Sequence, residues 1–195
     1  MKKKPIKISL SGASVAYYPN FIDFSESKRL TKQLYQEIAW RQDKIAMFGK
    51  MVDIPRLQAW YGDNNASYTY SKLTLFPLNW TRHLLELKQQ VSEFCQQEFN
   101  AMLANCYRDH RDSVSWHSDD EPELREQPII ASLSFGCQRM FHLKHKGSGE
   151  SVKLPLQSGS LLVMSGDTQK NWQHAIHKSR VEQSMRINLT FRNIQ

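Results

Sequence analysis

The most regular pattern in the chain is a strict alternation of apolar and polar residues near its C-terminus. On a β-strand, one face would carry Ile187, Leu189 and Phe191, and the other would carry Arg186, Asn188, Thr190 and Arg192. The apolar face can pack against a core. The polar face suits a pocket for a small dianion, because the planar fork of arginine matches carboxylates. Taken alone, the pattern is more typical of an edge strand with ordinary polar side chains.

Other short strand-like stretches fill the second half of the chain. They cover residues 101–107, 129–135, 140–144, 152–156, 160–164 and 185–191, with turn-forming stretches such as 146–149 and 157–159 between them. Many short strands separated by turns indicate a β-sandwich or a β-barrel.

Two amphipathic helices are predicted before these strands. The first spans residues 24–40, with Ser25 as its N-cap and Leu30, Leu34 and Ile38 at spacings of four. The second begins after Asn79 or Thr81 as its cap and carries Leu84, Val91 and Cys95 in register. We expect both helices to back the sheet.

A short motif upstream of the last strand points to metal binding. His117 and Asp119 are two residues apart, so on an extended segment both side chains point the same way. An imidazole and a carboxylate on one face make two thirds of a facial triad of two histidines and one carboxylate. His174, close in sequence to the last strand, is the candidate third ligand.

The kind of metal site follows from how many ligands are present. Three ligands leave positions open on Fe(II) for a bidentate co-substrate and dioxygen, whereas a closed tetrahedral set would indicate structural zinc. An open ferrous site beside an arginine-lined pocket favours 2-oxoglutarate. A lone His-x-Asp pair is a weak signal, but its combination with His174 and the Arg186–Arg192 strand is specific.

These features identify a family resemblance that covers most of the chain. The sequence resembles the AlkB family of Fe(II)- and 2-oxoglutarate-dependent nucleic-acid dealkylases, and it looks most like the branch that repairs double-stranded DNA. The resemblance runs from about Lys44 to Arg192. Its motifs are Phe48-Gly49-Lys50, Tyr61-Gly62-Asp63, Asn105-Cys106-Tyr107, His117-Ser118-Asp119-Asp120-Glu121, Ser132-Leu133-Ser134-Phe135-Gly136 and Gly159-Ser160-Leu161-Leu162.

The resemblance implies a double-stranded β-helix, which is a jelly-roll with the metal at its mouth. The fold class is then mainly β with flanking helices (α+β). We expect a single domain over residues 1–195, with an N-terminal extension and helix in 1–43. Nucleotide-recognition hairpins and a backing helix would occupy 44–100, and the jelly-roll catalytic core would occupy 101–195.

The resemblance also assigns roles to the polar residues of the core. His117, Asp119 and His174 would hold Fe(II), on which 2-oxoglutarate and dioxygen, the two co-substrates, would bind. Arg186 would take the distal carboxylate. The remaining co-substrate contacts would come from Asn105, Tyr107, Asn188, Thr190 and Arg192. Without the resemblance, Asn105 and Tyr107 would be read as strand residues whose polar groups are satisfied locally.

The segment 45–52 is predicted to form a hairpin that reaches the substrate. Gly49 supplies a permissive backbone position, Lys50 supplies charge, and Phe48 lies at the tip. A phenylalanine is more often a core residue. On a protruding hairpin, however, it can wedge into a duplex and fill the gap left by an extruded base. Arg56, after Pro55, is expected to contact a phosphate.

Four more residues are expected to contact the target base. The ring of Tyr70 would stack on it opposite His117, and Tyr68 would line the same wall. Asp120 would accept a hydrogen bond from an exocyclic amino group, which favours adenine or cytosine, with support from Glu121. The alternatives are ordinary strand aromatics for the tyrosines and a solvated carboxylate for Asp120.

Composition is consistent with a nucleic-acid partner but does not establish one. The formal net charge is +7, which favours an acidic partner. The cysteines Cys95, Cys106 and Cys137 are odd in number and lack CxxC spacing, so we expect free thiols in a reducing compartment. No apolar run has the length of a signal peptide or a membrane span. We therefore expect a cytoplasmic, intracellular protein that contacts no membrane. We also expect a monomer, and the lack of a visible nuclear-targeting block favours a bacterial source.

The function expected from the sequence is direct-reversal DNA repair. The reaction would be oxidative dealkylation of 1-methyladenine and 3-methylcytosine, with etheno adducts as further substrates and duplex favoured over single strands. One alternative is a related dioxygenase that acts on RNA, single-stranded DNA or protein. The other is a non-catalytic module that binds damaged DNA and keeps a vestigial metal site.

Overall fold

The computed structural model describes residues 4–47, 49–63, 66, 68–70 and 73–195, and it describes only the backbone of 47, 68–70 and 73–75. Two sheets form the body of the protein. The larger has the spatial order β1 (Ile6–Ile8), β2 (Ser14–Tyr18), β13 (Leu161–Ser165), β10 (Ile130–Gly136), β15 (Arg186–Arg192), β8 (Ala101–Tyr107), β5 (Leu57–Gly62). The smaller has the order β12 (Ser151–Leu156), β11 (Arg139–His145), β14 (Trp172–Ile176), β9 (Val114–His117).

From β8 onward the chain moves back and forth between the two sheets, and every strand pair in them is antiparallel. This path confirms the predicted double-stranded β-helix. The layer between the sheets is apolar over much of its area, because residues such as Ile130 and Met164 pack against Phe141 and Trp172. The polar face of β15 lines a cavity within this layer.

The last strand is the centre of the larger sheet and not its edge. β15 lies between β10 and β8, and all seven of its residues are buried. Ile187, Leu189 and Phe191 point outward to the core under the helices. The opposite face must then point between the two sheets, which is why its polar residues are enclosed. The edge-strand alternative is wrong.

Helices α1 (Phe24–Glu37) and α2 (Arg82–Cys95) pack on the outer face of the larger sheet. Thr81 caps α2 as predicted, by accepting from the backbone N–H of Leu84. The predicted cap of α1 is wrong: Asp23 is the N-cap and accepts from the backbone N–H of Glu26 at 2.9 Å, so Ser25 already lies in the first turn. α1 also ends three residues before the predicted position 40, because Ile38 is extended.

Three smaller elements complete the fold. β3 (Lys44–Met47) and β4 (Lys50–Asp53) form the predicted hairpin, and Gly49 has a φ of 75° at its turn. A second hairpin pairs β6 (Tyr68–Tyr70) with β7 (Leu73–Leu75), and α3 (Thr168–Asn171) is a single turn before β14. In the described part of the chain, no helix is long and apolar enough to cross a membrane.

The first two strands, β1 and β2, are part of the larger sheet, which the sequence patterns do not predict. β2 pairs with β13, and the loop between β1 and β2 is tied to the start of the smaller sheet. Trp172 Nε1 donates to the carbonyl of Ser11 at 2.9 Å, and Asn171 Nδ2 donates to that of Gly12 at 2.8 Å. The N-terminal segment therefore fastens the two sheets to each other.

The capping assignment of α1 predicts a difference between two similar substitutions. Asp23→Ala removes the acceptor for an N-terminal helix N–H, so the free energy of unfolding should fall by about 0.5–2 kcal/mol. Ser25→Ala, the matched control, should leave it nearly unchanged. Urea denaturation followed by circular dichroism measures both values. A larger loss for Ser25→Ala than for Asp23→Ala would contradict the assignment.

Candidate active site

The three residues predicted to bind metal lie together between the sheets. One potential ligand atom from each of His117, Asp119 and His174 lies within 4.8 Å of the other two. β9 and β14 place the histidines directly opposite each other, and their ring centroids are 4.2 Å apart. The predicted ligand set is therefore assembled by a cross-strand pair and the residue two positions beyond the end of β9.

Neighbouring groups fix the orientation of these ligands. His117 Nδ1 lies 2.8 Å from the carbonyl of Ser115, so the donor proton belongs on Nδ1 and Nε2 is left to face the cluster. Because β9 ends at His117, strand pairing does not hold Asp119. The buried amide of Gln169 does so instead: its Oε1 accepts from the backbone N–H of Asp119 at 2.9 Å.

The protonation states suit metal coordination. Burial lowers the pKa of His117, and burial together with the charge of His117 lowers the pKa of His174 to about 3. Burial alone would raise the pKa of Asp119, but the charges of Arg192, His174 and His117 outweigh it and lower that pKa to about 2. At neutral pH the site therefore offers two neutral imidazoles and one carboxylate, which are the forms that bind metal.

The burial of Arg186 favours the binding of an anion beside it. Its side chain is 1% exposed, and Nη2 donates to Ser134 Oγ at 2.9 Å. Nε and Nη1 have no hydrogen-bond partner within the part of the chain that the structure describes. Burial lowers its pKa to about 10, so the group is still charged at neutral pH. A buried cation with unused donors is costly unless an acceptor binds there.

Arg192 lies at the other end of the same strand face. Its Nη2 donates to Asp119 Oδ1 at 2.9 Å, and both side chains are almost fully buried. It therefore contacts a predicted metal ligand directly, in addition to facing the cavity. Between the two arginines, Asn188 Nδ2 donates to Ser132 Oγ and Thr190 Oγ1 donates to Asn188 Oδ1. These two residues are satisfied within the sheet and stiffen its polar face.

One cavity is lined by every residue that the sequence predicts for metal and co-substrate binding. Its lining includes Asn105, Tyr107, His117, Asp119, His174, Arg186, Asn188, Thr190 and Arg192. The donor set fits a divalent metal, and the unused donors of Arg186 fit a carboxylate of 2-oxoglutarate.

Several residues of the cavity were not predicted from the sequence. Arg56 is 5% exposed, and its Nε donates to Asn105 Oδ1 at 2.8 Å, so its expected role at a surface phosphate is not supported. Ser132, which lines the cavity, and Ser134, which lies behind it on β10, were missed as partners of the last strand, although their alternation is a usable signal. The other unpredicted lining residues are Leu103, Val114, Phe141, Met164 and Ile176.

A larger cleft of about 790 Å³ adjoins the cavity and shares Arg56, Val114 and His117 with it. One wall comes from the first hairpin, at Ile45 and Val52, and the other from the segment that carries the metal ligands. Asp120 and Glu121 line this cleft, and their contacts with the substrate stay a prediction. Lys146 Nζ lies 3.3 Å from Asp120 Oδ2 and holds that exposed carboxylate at the rim.

The remaining substrate predictions can be located only in part. Gly49 and Lys50 are exposed at the end of the first hairpin. Phe48 lies outside the described residues. Tyr68 and Tyr70 form β6, but the structure describes only their backbone. These three aromatic assignments therefore stay predictions.

The ligand set predicts how metal binding responds to substitution. His174→Ala should abolish measurable binding of Mn(II) in calorimetric titration, because two ligands remain where three are needed. His177→Ala is the matched control, because it removes an exposed imidazole only three residues away. Equal Mn(II) affinities for the two variants would contradict the assignment.

The unused donors of Arg186 predict a separate effect on the co-substrate. Arg186→Gln should weaken 2-oxoglutarate binding by roughly 10- to 100-fold, the size expected for loss of a charge-assisted contact. Titration of the Mn(II)-loaded protein with 2-oxoglutarate measures this value. The Mn(II) affinity of the same variant is the internal control and should stay close to that of the unsubstituted protein.

Comparison with known proteins gives results that agree with this site. The family model of the 2OG-Fe(II) oxygenase superfamily matches residues 14–192. A relative from Bos taurus, alpha-ketoglutarate-dependent dioxygenase alkB homolog 3, is 43% identical over 97% of this chain and 69% of its own length. DNA oxidative demethylase ALKBH2 from Mus musculus is 39% identical over 87% of this chain and 76% of its own length.

Among solved structures, one titled "The structure of OsALKBH1" matches with a TM-score of 0.60 and 16% identity, over 95% of this chain and all of that chain. This likeness supports the fold alone. The relatives named here are mammalian and give no support to the expectation of a bacterial source. From the matched family model, the identity to these relatives and the assembled site, this chain belongs to the AlkB family of Fe(II)- and 2-oxoglutarate-dependent dioxygenases.

Proposed function

We propose that this protein removes alkyl groups oxidatively from N-alkylated bases in DNA, with 1-methyladenine and 3-methylcytosine as substrates and etheno adducts as further ones. The observation that carries the proposal is the cleft beside the metal ligands, whose rim carries the carboxylates of Asp120 and Glu121. The relative named DNA oxidative demethylase supports the choice of DNA.

The metal and co-substrate supply the oxidising chemistry, and the protein supplies their positions. Fe(II) would be held by His117, Asp119 and His174. Together with 2-oxoglutarate and dioxygen, it would supply the oxidising chemistry that hydroxylates the carbon of the N-alkyl group. For a methyl group, the balance is one dioxygen and one 2-oxoglutarate consumed, with succinate, carbon dioxide, formaldehyde and the restored base as products.

The chain's own residues bind and orient the two carboxylates of 2-oxoglutarate. Arg186, with two unused donors, binds the distal carboxylate, and the ring of Tyr107 lies 5.3 Å from its guanidinium. Asn105 is held by Arg56 through its Oδ1, which leaves its amide N–H groups for the co-substrate. Arg192 keeps Asp119 ionised and in place as a ligand.

Recognition of the base rests on the rim of the cleft. A carboxylate accepts a hydrogen bond from the exocyclic amino group that adenine and cytosine share. Asp120, with Glu121 beside it, therefore selects these bases over guanine and thymine derivatives, which carry no amino group at the same position. Trp116 and His117 also line the cleft, and flat rings on its wall suit stacking of an extruded base.

The first hairpin is the element proposed to reach into the duplex. It carries exposed apolar side chains at Met51, which is 63% exposed, and at Val52. Exposed apolar residues on this hairpin suit contact with base faces, and Phe48, which the sequence predicts to lie at its tip, would fill the gap left by the extruded base. The net charge of +7 favours the phosphate backbone. We also propose that the protein acts as a monomer.

Mass spectrometry of short oligonucleotides tests the substrate. Duplex DNA, single-stranded DNA and RNA, each with one 1-methyladenine or one 3-methylcytosine, are incubated with Fe(II), ascorbate and 2-oxoglutarate. We expect loss of one methyl group from DNA, and none with His117→Ala. Turnover of 2-oxoglutarate without loss of the methyl group would retain the dioxygenase class and overturn the base-repair function; faster reaction on RNA would replace DNA with RNA.

The same assay tests the hairpin. Phe48→Ala should slow reaction on the duplex by about tenfold, on the order of one lost base-stacking contact, and leave reaction on single-stranded DNA nearly unchanged. Lys32→Ala, on the exposed face of α1, is a control for general effects of substitution. Equal rates of Phe48→Ala and unsubstituted protein on duplex DNA would contradict the wedge.

A further inference from the structure

Arg139 is a buried cation that the reaction described above does not use. It is the first residue of β11 and is 2% exposed. Among the contacts of the described residues, it pairs with no carboxylate. Its donors go to three backbone carbonyls: Nη1 to Asp109 at 3.0 Å, and Nη2 to Asp112 at 2.9 Å and to His177 at 2.8 Å.

These carbonyls come from residues next to the ends of three strands that carry active-site residues. Asp109 lies two residues after Tyr107, past the end of β8. Asp112 lies five residues before His117 and just before β9 begins. The third carbonyl, that of His177, lies three residues after His174, past the end of β14. One guanidinium thus ties together the segments that place a co-substrate residue and both histidine ligands.

Arg139 also lies behind the co-substrate pocket. Its guanidinium carbon is 5.6 Å from the centre of the Tyr107 ring, and that of Arg186 is 5.3 Å from the same centre. Two buried cations therefore share one aromatic ring, whose π face attracts both. The positive charge of Arg139 adds to that of Arg186 at the end of the cavity where a carboxylate would bind.

We propose that Arg139 is a positioning residue of this active site. It holds the segment 109–112 against the residue that follows β14, so that His117 and His174 face each other at the distance a metal requires. Its charge also raises the affinity of the pocket for 2-oxoglutarate. The planar fork of arginine suits this role, because its separate N–H groups reach carbonyls that lie in different directions. The proposal does not depend on which nucleic acid is the substrate.

The test measures metal and co-substrate binding by the full chain, and not only its activity. In Arg139→Gln, the three carbonyls lose their shared donor and the pocket loses a charge. We expect Mn(II) affinity to fall by roughly tenfold or more, the size typical of losing a residue that orients metal ligands. We also expect weaker 2-oxoglutarate binding, both measured by calorimetry under conditions where urea titration shows the variant to be folded.

Arg139→Lys separates the charge from the geometry. The ammonium keeps a positive charge behind Tyr107 but cannot reproduce the fork. We expect most of the 2-oxoglutarate affinity to return while Mn(II) binding stays weak. Should Arg139→Gln fail to fold, the lysine variant decides the matter by its Mn(II) affinity. Recovery of both affinities to the unsubstituted values in Arg139→Lys would overturn the positioning role.

Arg108→Gln is the matched control, because Arg108 holds the same segment from its solvent side. Its Nε and Nη2 bind the carboxylate of Asp112 at 2.7 and 2.9 Å, and its side chain is 42% exposed. We expect this variant to lose stability without a change in either affinity. Equal losses of affinity in Arg108→Gln and Arg139→Gln would assign the effect to general order in the segment and overturn the proposal. Unchanged affinities in folded Arg139→Gln would overturn it as well.

Discussion

The structure depends on one constraint, which is that the two faces of β15 must be buried in different surroundings. Alternation along a strand sends neighbouring side chains to opposite faces. Ile187, Leu189 and Phe191 go to the apolar core under the helices, and the intervening residues go between the sheets. If the register slipped by one residue, two guanidiniums would enter the apolar core and the cavity would lose its polar wall. The central position of the strand thus serves packing and chemistry together.

Burying that polar face brings several charges into a small space, where each needs a partner. Arg192 and Asp119 pair directly, and the two histidines of the predicted metal site remain neutral because burial lowers their pKa values. Arg186 is different, since two of its donors have no hydrogen-bond partner among the described residues. The protein therefore holds part of the cavity in a state that favours the binding of an anion. Preorganised donors of this kind bind without first breaking contacts within the protein.

Much of this arrangement follows from local sequence patterns. The bounds of β8, the three ligands and the polar face of β15 could be predicted, because alternation and residue chemistry are visible within a few positions. The predicted cap of α1 is wrong because Asp23 and Ser25 are both good capping residues. The sequence does not show at which of the two the helix begins.

Contacts between distant segments could not be predicted in this way. Arginine is usually exposed. Arg56 and Arg139 are nevertheless buried, and their guanidiniums donate hydrogen bonds to acceptors that come from elsewhere in the chain. The amide of Gln169, which holds Asp119, lies 50 residues away from it. The position of β15 inside the sheet depends in the same way on the order of all its neighbours. Sequence patterns show which side chains share a face, whereas the topology determines what that face meets.

The central position of β15 also affects how the chain can fold during its synthesis. Its neighbours β8 and β10 are made earlier, but in the larger sheet they are joined by β15, which lies between them and ends at residue 192. Until that residue has been made, the larger sheet is divided into two parts, each with an unpaired strand edge facing the other. Such edges readily pair with other chains. Ribosome stalling or premature termination before residue 186 would therefore leave a fragment prone to aggregation through the same two strands that later form the active-site wall.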